Sequence, residues 1–200
     1  MKKIVIFVLF YALFSINPVH SLIESEAFPE LVYRSALKEG HLEKLEQMLE
    51  SGHSSTRKDN DDMIPLAYAI KNNNKKMVNL LLKYGANINS EFLDKLNVLI
   101  YCVMLEKVEL INFLVQKGVD INKQDRIGRT SLMIAVEREN INAAKELIKL
   151  NADIDISDYS GRTVSDYIQF SRKREIKKLL KYFYFSQYFI MKDIDYFRFL

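Results

Sequence analysis

The stretch PLAYAIKNNNKKMVNLLLKYG, residues 65–85, decides the fold. Pro65 suits the first turn of a helix, where its missing N–H is not needed. Leu66, Ala69 and Ile70 then share one face at helical spacing. The polar run from Lys71 to Asn74 interrupts that pattern and predicts a short turn. Met77, Val78, Leu80, Leu81 and Leu82 supply a second helix. Gly85 ends it, because a left-handed C-terminal residue costs glycine little. A helix pair this short leaves its apolar face uncovered, so it must stack on copies of itself.

The copies are present. Gly52, Gly85 and Gly118 are 33 residues apart, and Gly128 and Gly161 form a second ladder with the same step. Ala36, Ala69, Cys102 and Ala135 make a column of small residues, and Leu66, Leu99 and Leu132 another. Leu49, Leu82, Val115 and Ile148 repeat in the same way, as do Ile88, Ile121 and Ile154. A period in this range is the signature of a repeat architecture.

These residues resemble the ankyrin-repeat family. Gly85-Ala-Asn-Ile-Asn and Gly118-Val-Asp-Ile-Asn are similar to that family's repeat ending. Asp125-Arg-Ile-Gly-Arg-Thr-Ser-Leu-Met-Ile-Ala and Asp158-Tyr-Ser-Gly-Arg-Thr look like its repeat start, and Gly40-His-Leu-Glu like the turn between its helices. The usual Thr-Pro-Leu-His becomes Ile-Pro-Leu-Ala at residues 64–67 and Asn-Val-Leu-Ile at residues 97–100. The resemblance implies an all-α solenoid of about five helix-turn-helix repeats with hairpin-like connections. It covers residues 29–182, with repeats near 29–57, 58–90, 91–123, 124–157 and 158–182. The first and last repeats match least, as expected of caps that face water.

Upstream, Lys2 and Lys3 precede an apolar run from Ile4 to Phe14, then Pro18, Val19 and Ser21. A basic head, a short apolar stretch and small residues before a cut describe a secretory signal peptide over residues 1–21. Eleven apolar residues make a helix of roughly 17 Å, well short of the about 30 Å of a hydrocarbon core. Export to the periplasm or beyond the cell is the expectation. Without Lys2 and Lys3, 27 bases face 26 acids, so no strong basic field points to nucleic acid. Cys102, the sole cysteine, lies in an apolar run and reads as a buried side chain rather than half of a disulfide.

No motif argues for catalysis. The sequence has no Gly-x-Ser-x-Gly elbow, phosphate loop or dinucleotide fingerprint. Past residue 21 only His41 and His53 remain, too far from Cys102 in sequence to suggest a zinc site. Asp61 and Asp62 read as solvated loop residues. Neither catalytic residue, metal nor cofactor is expected.

By its resemblance, the chain is expected to bind another protein through loop tips and the exposed side of each first helix, which line a concave face. Most of those positions are polar, but the third repeat places Leu93, Leu96, Met104 and Leu105 there, with Ile127 and Tyr159 from its neighbours. Exposed apolar patches tend to mark interaction sites. One reading makes this cluster the centre of a binding surface rimmed by Arg126, Arg129 and Arg138. The other folds the third loop back and buries Leu93 and Leu96, since Lys95 stands where the loop glycine would be.

The tail is unusual. Nine of the nineteen residues from Tyr182 to Leu200 are aromatic. A helix over residues 183–200 would cover the open end of the solenoid. Membrane-surface contact, aided by Arg172, Lys173 and Arg174, is the less favoured reading. The functional expectation is an exported binding module for one specific protein. A toxin-neutralising immunity protein and a host-directed effector are two versions of it, and an envelope accessory protein held by its tail is a further alternative.

Overall fold

Prolines, asparagines and threonines set where the helices begin. The computed structural model describes residues 29–171 and 173–179. The expected signal peptide over residues 1–21, the expected capping tail over 183–200 and the last residues of the repeat region lie outside the described residues. Among the described residues all regular structure is helical, apart from one isolated bridge between Phe92 and Leu96. This is the all-α repeat architecture expected from the period.

The chain divides into two compact units, residues 1–54 and 55–200. In the first, α1 (Pro29–Glu39) packs on α2 (Leu42–Glu50), with a turn at Gly40 between them. Tyr33, Ala36, Leu37, Leu45, Met48 and Leu49 form its buried face. The Tyr33 hydroxyl donates to the Ser54 carbonyl at 2.7 Å and closes the unit's last turn.

The second unit holds four helix pairs. They are α3 (Pro65–Lys71) with α4 (Lys75–Lys83), α5 (Val98–Met104) with α6 (Val108–Gln116), α7 (Ser131–Glu137) with α8 (Ile141–Lys149), and α9 (Val164–Phe170) with α10 (Arg174–Lys177). The first helices pack in sequence, α3 on α5, α5 on α7 and α7 on α9, and α6 packs on α8 behind them. Ala69, Cys102 and Ala135 are fully buried, so the repeated small column lets neighbouring first helices approach closely. Leu66, Leu99 and Leu132 fill the adjoining space and are also fully buried. Each contributes roughly 1.5–3 kcal/mol of apolar burial.

Helix starts are secured locally. The Asn74 side chain accepts from the Met77 N–H, Asn97 from Ile100, Thr130 from Met133 and Asn140 from Ala143. Such caps satisfy donors that no helical carbonyl can reach. Between paired helices the chain turns through a left-handed residue: Asn73 at φ 51°, Glu106 at 57° and Glu139 at 57°. After the second helices the same conformation recurs at Gly85, Gly118 and Asn151. Asparagine replaces glycine in the last case because its short polar side chain tolerates this region.

Gly128 is constrained twice over. Its φ is +86°, and a Cβ there would lie 2.6 Å from the Tyr159 backbone nitrogen and 2.5 Å from the Tyr159 ring. Gly85 has φ +89° but open space around it. Gly85→Ala is therefore expected to cost about 1–2 kcal/mol for the left-handed backbone alone. Gly128→Ala should cost clearly more, because backbone must also move. Urea unfolding of both variants checks this, and equal losses would show that the loop around Tyr159 yields freely.

Candidate protein-binding site

One carboxylate organises each polar loop tip. Asp125 Oδ1 accepts the Ile127 and Arg129 N–H groups at 3.0 and 2.9 Å, while Oδ2 accepts Arg129 Nε at 2.9 Å. Asp158 repeats this with the Ser160 and Arg162 N–H groups at 2.8 and 3.0 Å and Arg162 Nε at 2.9 Å. The Tyr167 hydroxyl donates to its Oδ2 at 2.7 Å. Asp59 accepts from the Asp61 and Met63 N–H groups and from the Tyr68 hydroxyl. Burial would raise the Asp158 carboxyl. The Arg162 N–H, the Tyr167 hydroxyl, the Arg162 guanidinium and the Ser160 N–H outweigh it and hold the group far below the usual carboxylate range. Burial and the Asp158 partner push Tyr167 up to about 12.

The third loop is built differently. The residue in register with Asp59, Asp125 and Asp158 is Phe92, which is wholly buried and meets Tyr101 edge-on at 5.3 Å. Phe92 and Leu96 exchange backbone hydrogen bonds at 3.0 and 2.8 Å. Leu93, Asp94 and Lys95 between them all have positive φ, at 41°, 65° and 70°. The Leu93 N–H donates to Asp62 Oδ2 at 2.7 Å. A hydrogen bond from Lys58 is the main cause that holds the Asp62 carboxyl below its ordinary value.

The residues singled out by sequence fall into three groups, with Leu105 apart from them. Leu93 and Leu96 are half-buried in the third loop, and Arg126, exposed, pairs with Asp94 there at 3.1 Å. Ile127 and Tyr159 are 45% and 70% exposed, and adjacent loop tips join where the Tyr159 N–H donates to the Ile127 carbonyl at 3.1 Å. Met104, Arg129 and Arg138 line a cleft of about 260 Å³ with Ile134 and Glu137. Arg129 is held between Asp125 at 2.9 Å and Glu137 at 2.6 Å. Arg138 Nη1 stands 3.5 Å from the Met104 carbonyl. Leu105 is half-buried at the end of α5. Of the apolar side chains singled out by sequence, the exposed ones thus stand on the fourth and fifth loop tips, not on the third.

Sequence reading took Asp125 and Asp158 only as part of the repeat start and missed their role in holding the loops, although the signal was available. Asp59, Asp125 and Asp158 are one column of the 33-residue register, with Phe92 as its exception. Cys102 is buried, donates to the Lys107 carbonyl at 3.1 Å and has its thiol pushed up to about 12 by burial, which disfavours the nucleophilic thiolate. Among the described residues no group of His, Cys, Asp and Glu could hold a metal ion. No described helix is long and apolar enough to cross a membrane.

Against known proteins, the family model described as ankyrin repeats (3 copies) matches residues 12–92, 32–125 and 99–184, together most of the chain. The chain belongs to the ankyrin-repeat family. Comparison with curated proteins finds no match. Ankyrin repeats generally bind other proteins and are typically non-enzymatic.

The aspartate clamp of this ankyrin chain carries a pH signature. A carboxyl depressed in the folded state stabilises above its unfolded pKa of about 4, and that stability is lost as pH falls towards the folded value. Asp158→Asn is therefore expected to lower the melting temperature at pH 7, with the gap to the natural chain narrowing below about pH 4. A gap that stays constant down to pH 2 would show that Asp158 acts through shape rather than charge.

Proposed function

We propose that this chain is a non-enzymatic interaction module that binds one specific partner protein through its loop tips and first helices. One observation carries the reading. Ile127 and Tyr159 are exposed on loop tips whose backbones are already fixed by Asp125 and Asp158. Apolar side chains are free to contact a partner, and the loops need little further ordering, which lowers the entropic cost of association. The neighbouring cleft at Met104, Arg129 and Arg138 adds charge and shape to the same face. Affinity capture with the natural chain should retain one protein that an Ile127→Arg/Tyr159→Ser variant of equal melting temperature loses. Equal retention by both would remove these tips from the interface.

The module is exported in the same proposal. Its support is the basic head at Lys2 and Lys3, the short apolar run to Phe14 and the small residues before Leu22. Mass spectrometry of the protein recovered from an expressing bacterium should find Leu22 at the mature N-terminus in the periplasmic or culture fraction. Intact Met1 in the cytoplasmic fraction would overturn export. In that compartment the partner would be a toxin to be neutralised, a host protein or an envelope enzyme.

A further inference from the structure

Past residue 21 the charges nearly balance, 27 bases against 26 acids, but the fold sorts them. The second-helix stretches of the second unit, residues 75–83, 108–117, 141–149 and 174–178, hold nine bases and only three acids. That leaves 18 bases and 23 acids over the rest of the chain past residue 21. All nine bases are exposed. The opposite sides of α4, α6 and α8 are apolar and buried, with Met77, Leu110 and Ala143 in one column of the register.

Contacts between neighbouring elements join the exposed sides into one surface. Lys75 of α4 and Lys117 at the end of α6 lie 5.7 and 5.5 Å from the centre of the Phe113 ring. Asn112 of α6 donates to Glu146 of α8 at 3.4 Å, and Glu146 pairs with Lys149 at 3.9 Å. Between α8 and α10, a hydrogen bond from Lys178 and then the charges of Lys178, Arg174 and Lys145 hold the Glu175 carboxyl below its ordinary value. The third acid, Glu109, accepts from the Asn73 amide. Among the described residues Lys75, Lys76, Lys117, Lys145, Arg174 and Lys177 form no ion pair.

A basic face of this kind attracts an anionic surface, and the sequence beyond α10 favours a lipid one. Thirteen of the nineteen residues from Tyr182 to Leu200 are apolar, nine of them Tyr or Phe, the residue types that settle at headgroup level. We propose that the second-helix face of this unit docks on an anionic phospholipid surface. The first helices and loop tips, on the other side of the unit, then stay open to the partner protein. Each base near such a surface is worth about fivefold in partition, and salt screens the attraction.

The test measures co-sedimentation of the full chain with vesicles of phosphatidylcholine and phosphatidylglycerol in equal parts, and with phosphatidylcholine alone. The mixed vesicles should bind about tenfold more tightly or better, and high salt should remove most of the difference. Lys145→Glu/Lys177→Glu, at unchanged melting temperature, should weaken binding to the mixed vesicles about tenfold or more. Lys71→Glu/Lys95→Glu makes the same change in net charge on a first helix and a loop, and should weaken it by about threefold at most. Equal losses from the two pairs, or mixed vesicles bound no more tightly than plain ones, would overturn the proposal. So would a face that holds single-stranded polyuridylate through Lys145 and Lys177 but does not hold the mixed vesicles, because the anion would then be a nucleic acid.

Discussion

Everything in the second unit depends on the burial of one short helix against the next. Helices of seven residues are far below the length at which an isolated helix persists in water. They exist because Leu66, Leu99 and Leu132, and the small residues between them, are removed from water by the neighbouring pair. The 33-residue period is the sequence record of that requirement. A contact surface that must match its own copy can vary little at Ala69, Cys102 and Ala135, whereas residues pointing away from it vary freely.

That asymmetry explains what could be read from the sequence. Apolar and glycine columns carry the stacking constraint directly, so the helix pair at Pro65–Lys83 and the turn at Gly85 emerge from periodicity alone. Asn151 was harder, because it performs the glycine's conformation with another residue. The candidate surface was legible only in part. Arg126, Arg129 and Arg138 look equivalent as a row of bases, yet two of them are tied to Asp94, Asp125 and Glu137, while Arg138 makes no ion pair among the described residues and reaches the Met104 carbonyl. Which cation is available depends on loop geometry, and no spacing rule encodes it.

Phe92 shows the same limit from the other side. Beside Leu93 and Leu96 in the sequence, it has the apolar character of a further member of a surface cluster. In the fold it turns inward, takes the place of an aspartate and draws Tyr101 against its ring. Hydrophobicity locates a residue near an interface or near a core with equal force. The loop's three left-handed residues, fixed by the Phe92–Leu96 bridge and by Asp62, decide between them.

The rigidity of these loops has a kinetic meaning. Three consecutive residues with positive φ cost about 1–2 kcal/mol each, and the Phe92–Leu96 bridge and Asp62 offset that cost in the free chain, before any partner arrives. A surface already in its bound shape needs no slow rearrangement after encounter. Its association rate is then set by diffusion and orientation, and differences between rival partners fall on how long each complex survives.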